Sequence, residues 1–394
     1  MIKLFNNKFF LFACALILGA GAFLYWKFKR VPEFNLEALR IELDDASYER
    51  LSTLRDEALE KGHLERSEDD YVSSTITYRS QKMDAEMRLK GDWLDHLATN
   101  KWSFRIKLND PMSDGLKEFS IQNPACRDYL NGYLFYELMQ EEGIMTNEFR
   151  YIQVYVNGYR WGVYCLEEHL TDRMILNNKS PNGVLLKFDD ANFFRAEMNE
   201  ESSIGLIKEA EFKVYGDAVK NELYNDAVYK AKSIIQDYKL QTDSVYSQFD
   251  AKKMGTYYAL CDIAIAYHAM GWINMRFYYN FETKLMEPVA YDPYPLMDWG
   301  QPYLGHNLDS SRIKDRYDPI RIVYKALENE NIYKEYNQAL MRFSSPEYIH
   351  NFMAKRQQKL EFYETEIQKE YKNYEFDFQY LKDNGKAIRA YLVN

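Results

Sequence analysis

Residues 151–169 read YIQVYVNGYRWGVYCLEEH, which is the clearest hairpin signal in the chain. Two runs rich in aromatic and β-branched residues flank Asn157-Gly158, the dipeptide that most favours a two-residue turn between antiparallel strands. The segment therefore predicts a β-hairpin, and the patterns on either side of it indicate the rest of the architecture.

The sequence before this hairpin is mostly β-rich. Alternating or β-rich patterns predict strands at residues 39–43, 71–78, 83–89 and 102–108. Asp44 or Asp45 is a suitable cap for a helix that follows the first of these strands. A second helix is predicted over residues 127–142, where apolar side chains share one face and Gly143 ends the pattern.

The sequence after the hairpin is mostly helical. The patterns predict a charged helical region at residues 200–250 and a helix at 252–269. A second hairpin is predicted at 276–291 and a helical tail at 318–393. A β-rich part followed by an α-rich part indicates an α+β architecture with two lobes. The predicted units are an N-terminal segment (residues 1–30), a β-rich lobe (31–169) and an α-rich lobe (170–394).

Charge is distributed unevenly along the 394 residues. Residues 1–30 carry five basic residues and no acidic one, so the formal charge of −10 conceals a body with a net charge of −15. An acidic body repels phosphate backbones, so nucleic-acid binding is disfavoured. The apolar content of 46 % is that of a globular protein, which excludes extended disorder.

Residues 9–26 form an uncharged run between Lys8 and Lys27. At about 1.5 Å per residue, this run is just long enough to cross a hydrocarbon core of about 30 Å. It predicts an uncleaved signal anchor, that is, one N-terminal transmembrane helix. A cleaved signal peptide is the alternative, because residues 20–22 (Ala-Gly-Ala) resemble a processing site.

Two patterns of basic residues are candidates for anion binding. Lys90-Gly91 follows a predicted strand, where a glycine lets backbone N–H groups approach an anion; an ordinary turn glycine is the alternative. Lys101, Arg105 and Lys107 fall on one face of the next strand. This row of cations either faces phosphates or is a solvated strand surface.

A third candidate surrounds the second hairpin. Asn274 precedes this hairpin and Asp292 follows it. Phosphotransferases of the protein-kinase type use an Asn and an Asp to hold Mg²⁺, a hard ion that prefers oxygen ligands. The alternative is a common pair of polar residues beside a turn. His268 lies just before this segment, and alone it indicates a structural histidine.

Other chemistry finds little support in the sequence. There is no P-loop, GxSxG or HExxH motif, so the corresponding NTPase and hydrolase classes are not indicated. Cys126, Cys165 and Cys261 show no CxxC spacing, and the histidines show no metal-ligand spacing. We therefore expect free buried thiols rather than disulfides or a zinc site.

Three blocks together resemble the CotH kinase family. These are Arg88-Leu-Lys-Gly with KWSFRIKL at 101–108, the hairpin at 151–169, and NMRFYYNFETKLMEPVAYD at 274–292. The resemblance runs from about Leu39 to Tyr294. It implies an atypical protein-kinase-like fold, with a β-rich N-lobe and an α-rich C-lobe, and ATP-dependent phosphorylation of protein Ser/Thr.

The resemblance also implies roles for individual residues. Lys90 and Gly91 would belong to the phosphate-binding loop, and Lys101 or Lys107 would pair with the phosphates of ATP. Glu137 would be the partner of that lysine, and Leu166, Glu167 and Glu168 would lie beside the adenine. Asn274 and Asp292 would bind Mg²⁺ or Mn²⁺, with His268 as the adjacent catalytic histidine.

The chain departs from the family pattern at two places that bear on catalysis. Family members often have Asp where this chain has Ala269, and His268 is the neighbouring substitute. They often have a second Asp where this chain has Tyr294. Loss of a catalytic base costs about 10²–10⁴ in rate if nothing replaces it.

These observations define one leading function and two alternatives. We expect a kinase of the CotH type, anchored in the cytoplasmic membrane with its main domain outside, acting on a protein substrate at the envelope or cell surface. The first alternative is a pseudokinase scaffold for envelope assembly. The weaker alternative is a cell-surface carbohydrate-binding or carbohydrate-processing protein.

Overall fold

The computed structural model describes residues 34–91, 93–180, 182–189, 203–294 and 321–393. The predicted membrane segment at residues 9–26 lies outside these ranges, as does Asp92. Within the described ranges, no helix combines the length and the apolar character that crossing a bilayer requires.

The described residues form a mixed α+β fold, which confirms that part of the prediction. The strands are β1 (Ala38–Glu42), β2 (Val72–Tyr78), β3 (Gln81–Leu89), β4 (Phe104–Leu108), β5 (Glu118–Gln122), β6 (Met145–Thr146), β7 (Phe149–Val156), β8 (Tyr159–Glu168), β9 (Gly183–Phe188), β10 (Phe212–Tyr215), β11 (Arg276–Asn280) and β12 (Met286–Ala290).

Most helices follow the first eight strands along the chain. They are α1 (Asp45–Lys61), α2 (Leu130–Glu141), α3 (Asp172–Asn177), α4 (Ser203–Glu209), α5 (Asn225–Lys239), α6 (Ala251–Ile263), α7 (Arg321–Leu327), α8 (Glu330–Phe343), α9 (Pro346–Gln368) and α10 (Gln379–Val393). Asp44 caps α1 as predicted, since its side chain accepts a hydrogen bond from the Ser47 backbone N–H.

The first sheet is a closed barrel with the strand order β1-β2-β3-β4-β5-β8-β7. Parallel pairing of β1 with β7 closes it, with Leu39 opposite Val154. Apolar residues at alternate positions of these strands point inward and form one core together with the buried face of α1. This closure leaves no exposed edge in the barrel.

The hairpin predicted at residues 151–169 is confirmed as β7 and β8. Asn157 and Gly158 both adopt positive φ, at 49° and 78°, which a type I′ turn requires. The interior side of the hairpin contributes to the barrel core, whereas Tyr151 and Cys165 on its other side pack against the helices. The hairpin therefore connects the barrel to the helical part of the molecule.

A second sheet has the order β10-β9-β11-β12-β6. It contains the second predicted hairpin, in which Arg276 lies opposite Val289. The strand β10 lies within the region predicted to be mostly helical. Its four residues, Phe212–Tyr215, are held by pairing with β9, a non-local interaction that local pattern does not reveal.

Two helices are shorter than predicted, for the same physical reason. The helix predicted from residue 127 begins at Leu130, because Asp128 is left-handed and Tyr129 has a positive φ of 49° outside the helical region. The helix predicted through residue 269 ends at Ile263, and Ile265 is left-handed. Residues with positive φ cannot continue a right-handed helix. Arg127 therefore lies in a short 3₁₀ turn before the first of these helices, and His268 lies in one after the second.

Candidate functional site

Six polar side chains meet where the ends of several strands approach α2. We call them the ionic cluster. Its members are Lys90 (after β3), Gln122 (end of β5), Arg127 (turn before α2), Tyr136 (α2), Glu167 (end of β8) and Asp292 (after β12).

Glu167 is the centre of the ionic cluster. It is 2 % exposed, and it accepts hydrogen bonds from Gln122 Nε2 at 2.9 Å, Arg127 Nη2 at 3.0 Å and Tyr136 Oη at 2.6 Å. Lys90 Nζ lies 3.5 Å from Glu167 Oε2. Burial alone would raise the pKa of Glu167, but Arg127 and then Lys90 lower it to about 2.

Lys90 is fixed at the end of β3 by its backbone and by its side chain. Its backbone N–H donates to the Ser103 carbonyl at 2.8 Å, and its ammonium donates to Gln122 Oε1 at 2.6 Å. Burial and the charge of Arg127 lower the pKa of Lys90, while Glu167 opposes this shift. The side chain is thus held in a largely dehydrated place, where interactions between charges are stronger than in water.

Arg127 bridges the two carboxylates of the ionic cluster. Its Nη2 contacts Glu167, and its Nη1 lies 2.7 Å from Asp292 Oδ1. The turn that carries it is close-packed, since a Cβ at Gly132 would lie 2.7 Å from the Arg127 carbonyl oxygen. Asn123 begins this turn and accepts a hydrogen bond from the Tyr371 hydroxyl at 2.9 Å.

Asp292 lies two residues after β12 in a left-handed conformation with φ of 53°. Burial alone would raise the pKa of Asp292, but Arg127 and then His268 hold it well below its ordinary value. Its Oδ1 is buried and lacks a hydrogen bond of normal geometry, although Arg127 Nη1 is close. A charged, strained residue with an unsatisfied oxygen is typical of functional sites.

His268 connects the two residues predicted to bind metal. His268 Nε2 lies 3.7 Å from Asp292 Oδ2, and the His268 carbonyl accepts a hydrogen bond from Asn274 Nδ2 at 3.0 Å. Asn274 and Asp292 approach the same region because they flank the hairpin of β11 and β12, whose two outer ends lie side by side. The donors, a carboxylate and an amide oxygen, match the preference of Mg²⁺.

Gly91 follows Lys90 and is required by its neighbour His96. Its φ is +104°, and a Cβ there would lie 2.3 Å from His96 Cδ2. The His96 ring is oriented by Ser103, whose Oγ lies 3.0 Å from Nδ1. The glycine thus has a steric reason that the sequence pattern alone did not give.

The other two predicted lysines lie away from the ionic cluster. Lys101 Nζ donates to the Val163 carbonyl at 2.6 Å and pairs with Glu370 at 2.8 Å. Lys107 Nζ pairs with Glu68 at 3.0 Å on the surface. Their expected grouping with Lys90 is therefore not observed: Lys101 precedes β4 and turns toward β8, while Lys107 points outward from it.

Glu137 contacts neither of these lysines nor Lys90. Its carboxylate accepts from Arg356 Nε of α9 at 2.8 Å, because the face of α2 that carries it packs against α9. The glutamate that contacts a candidate phosphate-binding lysine is Glu167 instead. The expected role of Glu137 is not observed, because a buried strand position rather than a helix position supplies the partner of Lys90.

Leu166 and Glu168 flank Glu167 on β8 but face away from the ionic cluster. Strand alternation places Leu166 in the barrel core. Glu168 accepts hydrogen bonds from Arg173 Nη1 at 2.8 Å and from the Glu148 backbone N–H at 3.0 Å. Burial raises the pKa of Glu168, and Arg173 opposes that effect.

Sequence reasoning missed Gln122, Arg127 and Tyr136. The available signal was Arg127 itself, a charged residue in a proline-containing turn between a strand and an apolar helix. Tyr136 lies on the buried side of α2, so its hydroxyl needed a partner. Nothing in the local pattern identifies that partner as Glu167.

The fold and the site define a mixed α+β protein with a buried cluster of two cations and two carboxylates. A family model described as CotH kinase protein matches residues 87–389. The chain therefore belongs to the CotH kinase family. No curated protein matches the chain significantly.

Proposed function

We propose that the protein binds ATP with Mg²⁺ at the ionic cluster and transfers the γ-phosphoryl group to a protein Ser or Thr. The observation that carries this proposal is the contact of Lys90 with buried Glu167, beside Arg127 and Asp292. Protein kinases position the phosphates of ATP with a lysine paired to a glutamate, and Asp and Asn hold the metal.

In this proposal Lys90 takes the role that the family resemblance implied for Lys101 or Lys107. Lys90 and Arg127 neutralise the phosphates, and Glu167 holds both cations in place before the ligand arrives. A preorganised charge of this kind costs little reorganisation when the ligand binds.

Asp292 and Asn274 are the residues that would hold Mg²⁺. The carboxylate of Asp292 is ionised, and the amide nitrogen of Asn274 is occupied by the His268 carbonyl, which leaves its oxygen as the donor. The ion would supply charge neutralisation at the β- and γ-phosphates. Mn²⁺ accepts the same oxygen donors.

His268 is the group that we assign to proton transfer. The acceptor hydroxyl oxygen forms a bond to the γ-phosphorus while the bond from that phosphorus to ADP breaks, and the hydroxyl proton passes to Nδ1 of His268. His268 Nε2 lies 3.7 Å from Asp292 Oδ2, so this carboxylate orients the ring from the other side. The neighbouring Ala269 is fully buried and cannot accept a proton.

The remaining parts of the proposal concern fold and location. We infer that the barrel and the helical part correspond to the two lobes of a kinase-like fold, with the ionic cluster between them. We also propose that residues 9–26 anchor the protein in the cytoplasmic membrane, with the main domain outside.

The test is incubation of the full-length protein with γ-labelled ATP and Mg²⁺ or Mn²⁺, followed by measurement of labelled protein. We expect label in the wild type, none in Asp292→Ala, and a loss of at least tenfold in Lys90→Met. Lys107→Met is the matched control, because it removes a lysine that pairs with Glu68 outside the site. Equal loss in both lysine variants would contradict the assignment.

A second candidate function is a pseudokinase scaffold. Ala269, at a position where family members often have Asp, favours it. Nucleotide binding that depends on Lys90, with no label transferred to the protein itself or to envelope extracts, would support the scaffold over the kinase.

A further inference from the structure

We propose that Asp95, His96 and Cys126 form a second metal site, separate from the predicted Mg²⁺ ligands, that binds a thiophilic divalent ion with Zn²⁺ as the expected occupant. One ligand atom from each residue lies within 4.8 Å of the others. Spacing along the chain does not reveal this site, because Cys126 lies 30 residues after His96 and 31 after Asp95.

The three residues come from two short turns that face each other. Asp95 and His96 end the 3₁₀ turn Leu94–His96, and Cys126 belongs to the 3₁₀ turn Pro124–Arg127. The turns are in contact, since the Cys126 thiol lies 3.5 Å from the Asp95 carbonyl oxygen. An ion here would join them directly.

The donor set indicates the class of ion. A thiol, an imidazole and a carboxylate are the ligands that Zn²⁺ takes in proteins, at bond lengths of about 2.0–2.3 Å. Mg²⁺ and Ca²⁺ prefer oxygen alone, so a site with sulfur and nitrogen donors selects against them. This chemistry separates the new site from Asn274 and Asp292.

His96 is oriented before any ion arrives. Ser103, which is fully buried, holds Nδ1 at 3.0 Å, and Nε2 is the nitrogen left to bind. Metal-binding histidines are usually fixed in this way through their second nitrogen. The absence of a side chain at Gly91 allows the ring to occupy this place, since a Cβ there would lie 2.3 Å from it.

Two cations near His96 oppose an added metal ion, and their pairing with a carboxylate reduces that opposition. Lys90 and Arg127 are the nearest cations, and both already contact Glu167. Burial, then Lys90 and Arg127, lower the pKa of His96 well below its ordinary value, so the ring is neutral, the form that binds metal. Burial raises the pKa of Cys126 to about 12, and its thiol proton must leave when the ion binds.

Three protein donors leave a fourth position of a tetrahedral ion open to water. Among the described residues, no further His, Cys, Asp or Glu joins this group. Such three-ligand sites are typical of exchangeable or catalytic rather than structural zinc. Asp95 is exposed, so the ion has a path from solvent.

Co²⁺ is the probe that tests the proposal, because a thiolate bound to Co²⁺ produces a charge-transfer absorption in the near ultraviolet. We expect titration of the full-length protein, in a Cys14→Ser background, to produce this absorption at one ion per chain, and Zn²⁺ to abolish it. Cys126→Ser should remove the absorption. Cys165→Ser and Cys261→Ser are matched controls, since both thiols are buried elsewhere, and they should retain it.

Two further variants keep the test independent of folding and of the proposed function. Ser103→Ala should retain the absorption but weaken Zn²⁺ affinity about 10–100-fold, as loss of a supporting contact does. His96→Gln should shift the absorption by changing one donor. No absorption in the wild type, or an unchanged one in Cys126→Ser, would overturn the proposal, whatever the outcome with labelled ATP.

Discussion

Glu167 shows how much of the site depends on one side chain. Its carboxylate accepts hydrogen bonds from three residues and a contact from Lys90, although only 2 % of the residue is exposed. A buried charge is expensive unless it is fully paired, and removal of one partner leaves the others uncompensated. The cluster therefore behaves as a unit in which the cations and carboxylates require each other.

We predict that Glu167→Gln destabilises the protein at pH 7 by about 3–5 kcal/mol, because Arg127 and Lys90 lose their shared counter-charge. The folded-state pKa of Glu167, about 2, lies below its ordinary value of 4.5. Its stabilisation is therefore fully present above about pH 4.5 and is lost as the pH falls toward 2. The difference between wild type and variant should shrink over that interval.

Urea unfolding at several pH values measures this difference. Glu60→Gln, on the exposed side of α1, is the control and should change stability by no more than about 0.5 kcal/mol at any pH. The free energies of unfolding of the wild type and Glu167→Gln are compared at each pH. A difference that stays constant from pH 7 to 2 would show that Glu167 does not titrate as described.

We predict that Gly91→Ala is more damaging than Gly62→Ala, although both glycines have positive φ, at 104° and 87°. Any alanine in that conformation costs about 1–2 kcal/mol. A Cβ at Gly62 meets nothing within 4 Å, whereas one at Gly91 would collide with the ring of His96. The collision should add about 1–3 kcal/mol.

Chemical denaturation of the two variants checks this prediction. The loss of unfolding free energy in Gly62→Ala measures the effect of the backbone conformation alone. The additional loss in Gly91→Ala therefore reports the contact with His96. Equal losses in the two variants would mean that His96 moves away at no cost.

At the scale of elements, strand alternation on β8 assigns opposite roles to neighbouring residues. Leu166 enters the barrel core, while Glu167 faces α2 and the ionic cluster. A slip of one residue in the pairing with β5 would exchange these two side chains. In the pairing of β8 with β7, the extra residue Trp161 shifts the register by one between the Asn157-Gly158 turn and Glu167.

The same hairpin explains what sequence could and could not predict. Local signals such as Asn157-Gly158 and the cap Asp44 identify elements correctly, because their physics is contained in a few adjacent residues. Partners in the site are different: Glu167 meets Arg127 and Lys90 through non-local strand pairing and packing. Lys101 shows the limit, since alternation placed it in a cation row but its position before β4 turns it toward Glu370.

The connection between α9 and α10 gives Lys101 a structural role, which we can separate from that of Lys90. We predict that Lys101→Met destabilises the protein by about 1–3 kcal/mol, because the Val163 carbonyl loses its side-chain donor and Glu370 its partner. Nucleotide binding should remain close to that of the wild type.

Lys90→Met should show the opposite pattern in the binding measurement, with at least a tenfold loss of ATP affinity. Isothermal titration with ATP, together with urea unfolding, distinguishes the two lysines. Loss of ATP binding in Lys101→Met, with stability unchanged, would return the phosphate-pairing role to Lys101.

At the scale of the whole molecule, both ends of the described chain contact the long helix α9. Asn35 donates to Glu366 through its backbone N–H at 2.7 Å, and Phe34 is buried beneath Arg160 and Lys369. Arg356, on the same helix, contacts Glu137 of α2. The helix thereby joins the entry of the chain, the barrel and the helix that carries Tyr136.

A ligand at the ionic cluster must stabilise this whole assembly, because its contacts come from elements distant in sequence. At a concentration of one hundred times its Kd, a ligand that binds only the folded state adds about 2.7 kcal/mol. We therefore predict that ATP with Mg²⁺ raises the Tm, and that Asp292→Asn removes the part that depends on Mg²⁺. Asn tolerates the left-handed conformation of residue 292, so this variant tests the charge rather than the backbone.

Thermal unfolding with ATP alone, with Mg²⁺ alone and with both measures the linkage. In the wild type, the Tm increase with both should exceed the sum of the separate increases, since the phosphates and Asp292 share the ion. In Asp292→Asn, addition of Mg²⁺ to the ATP sample should leave the Tm unchanged. A retained Mg²⁺-dependent increase in that variant would place the ion elsewhere, and Asn274→Ala would then show whether Asn274 still takes part.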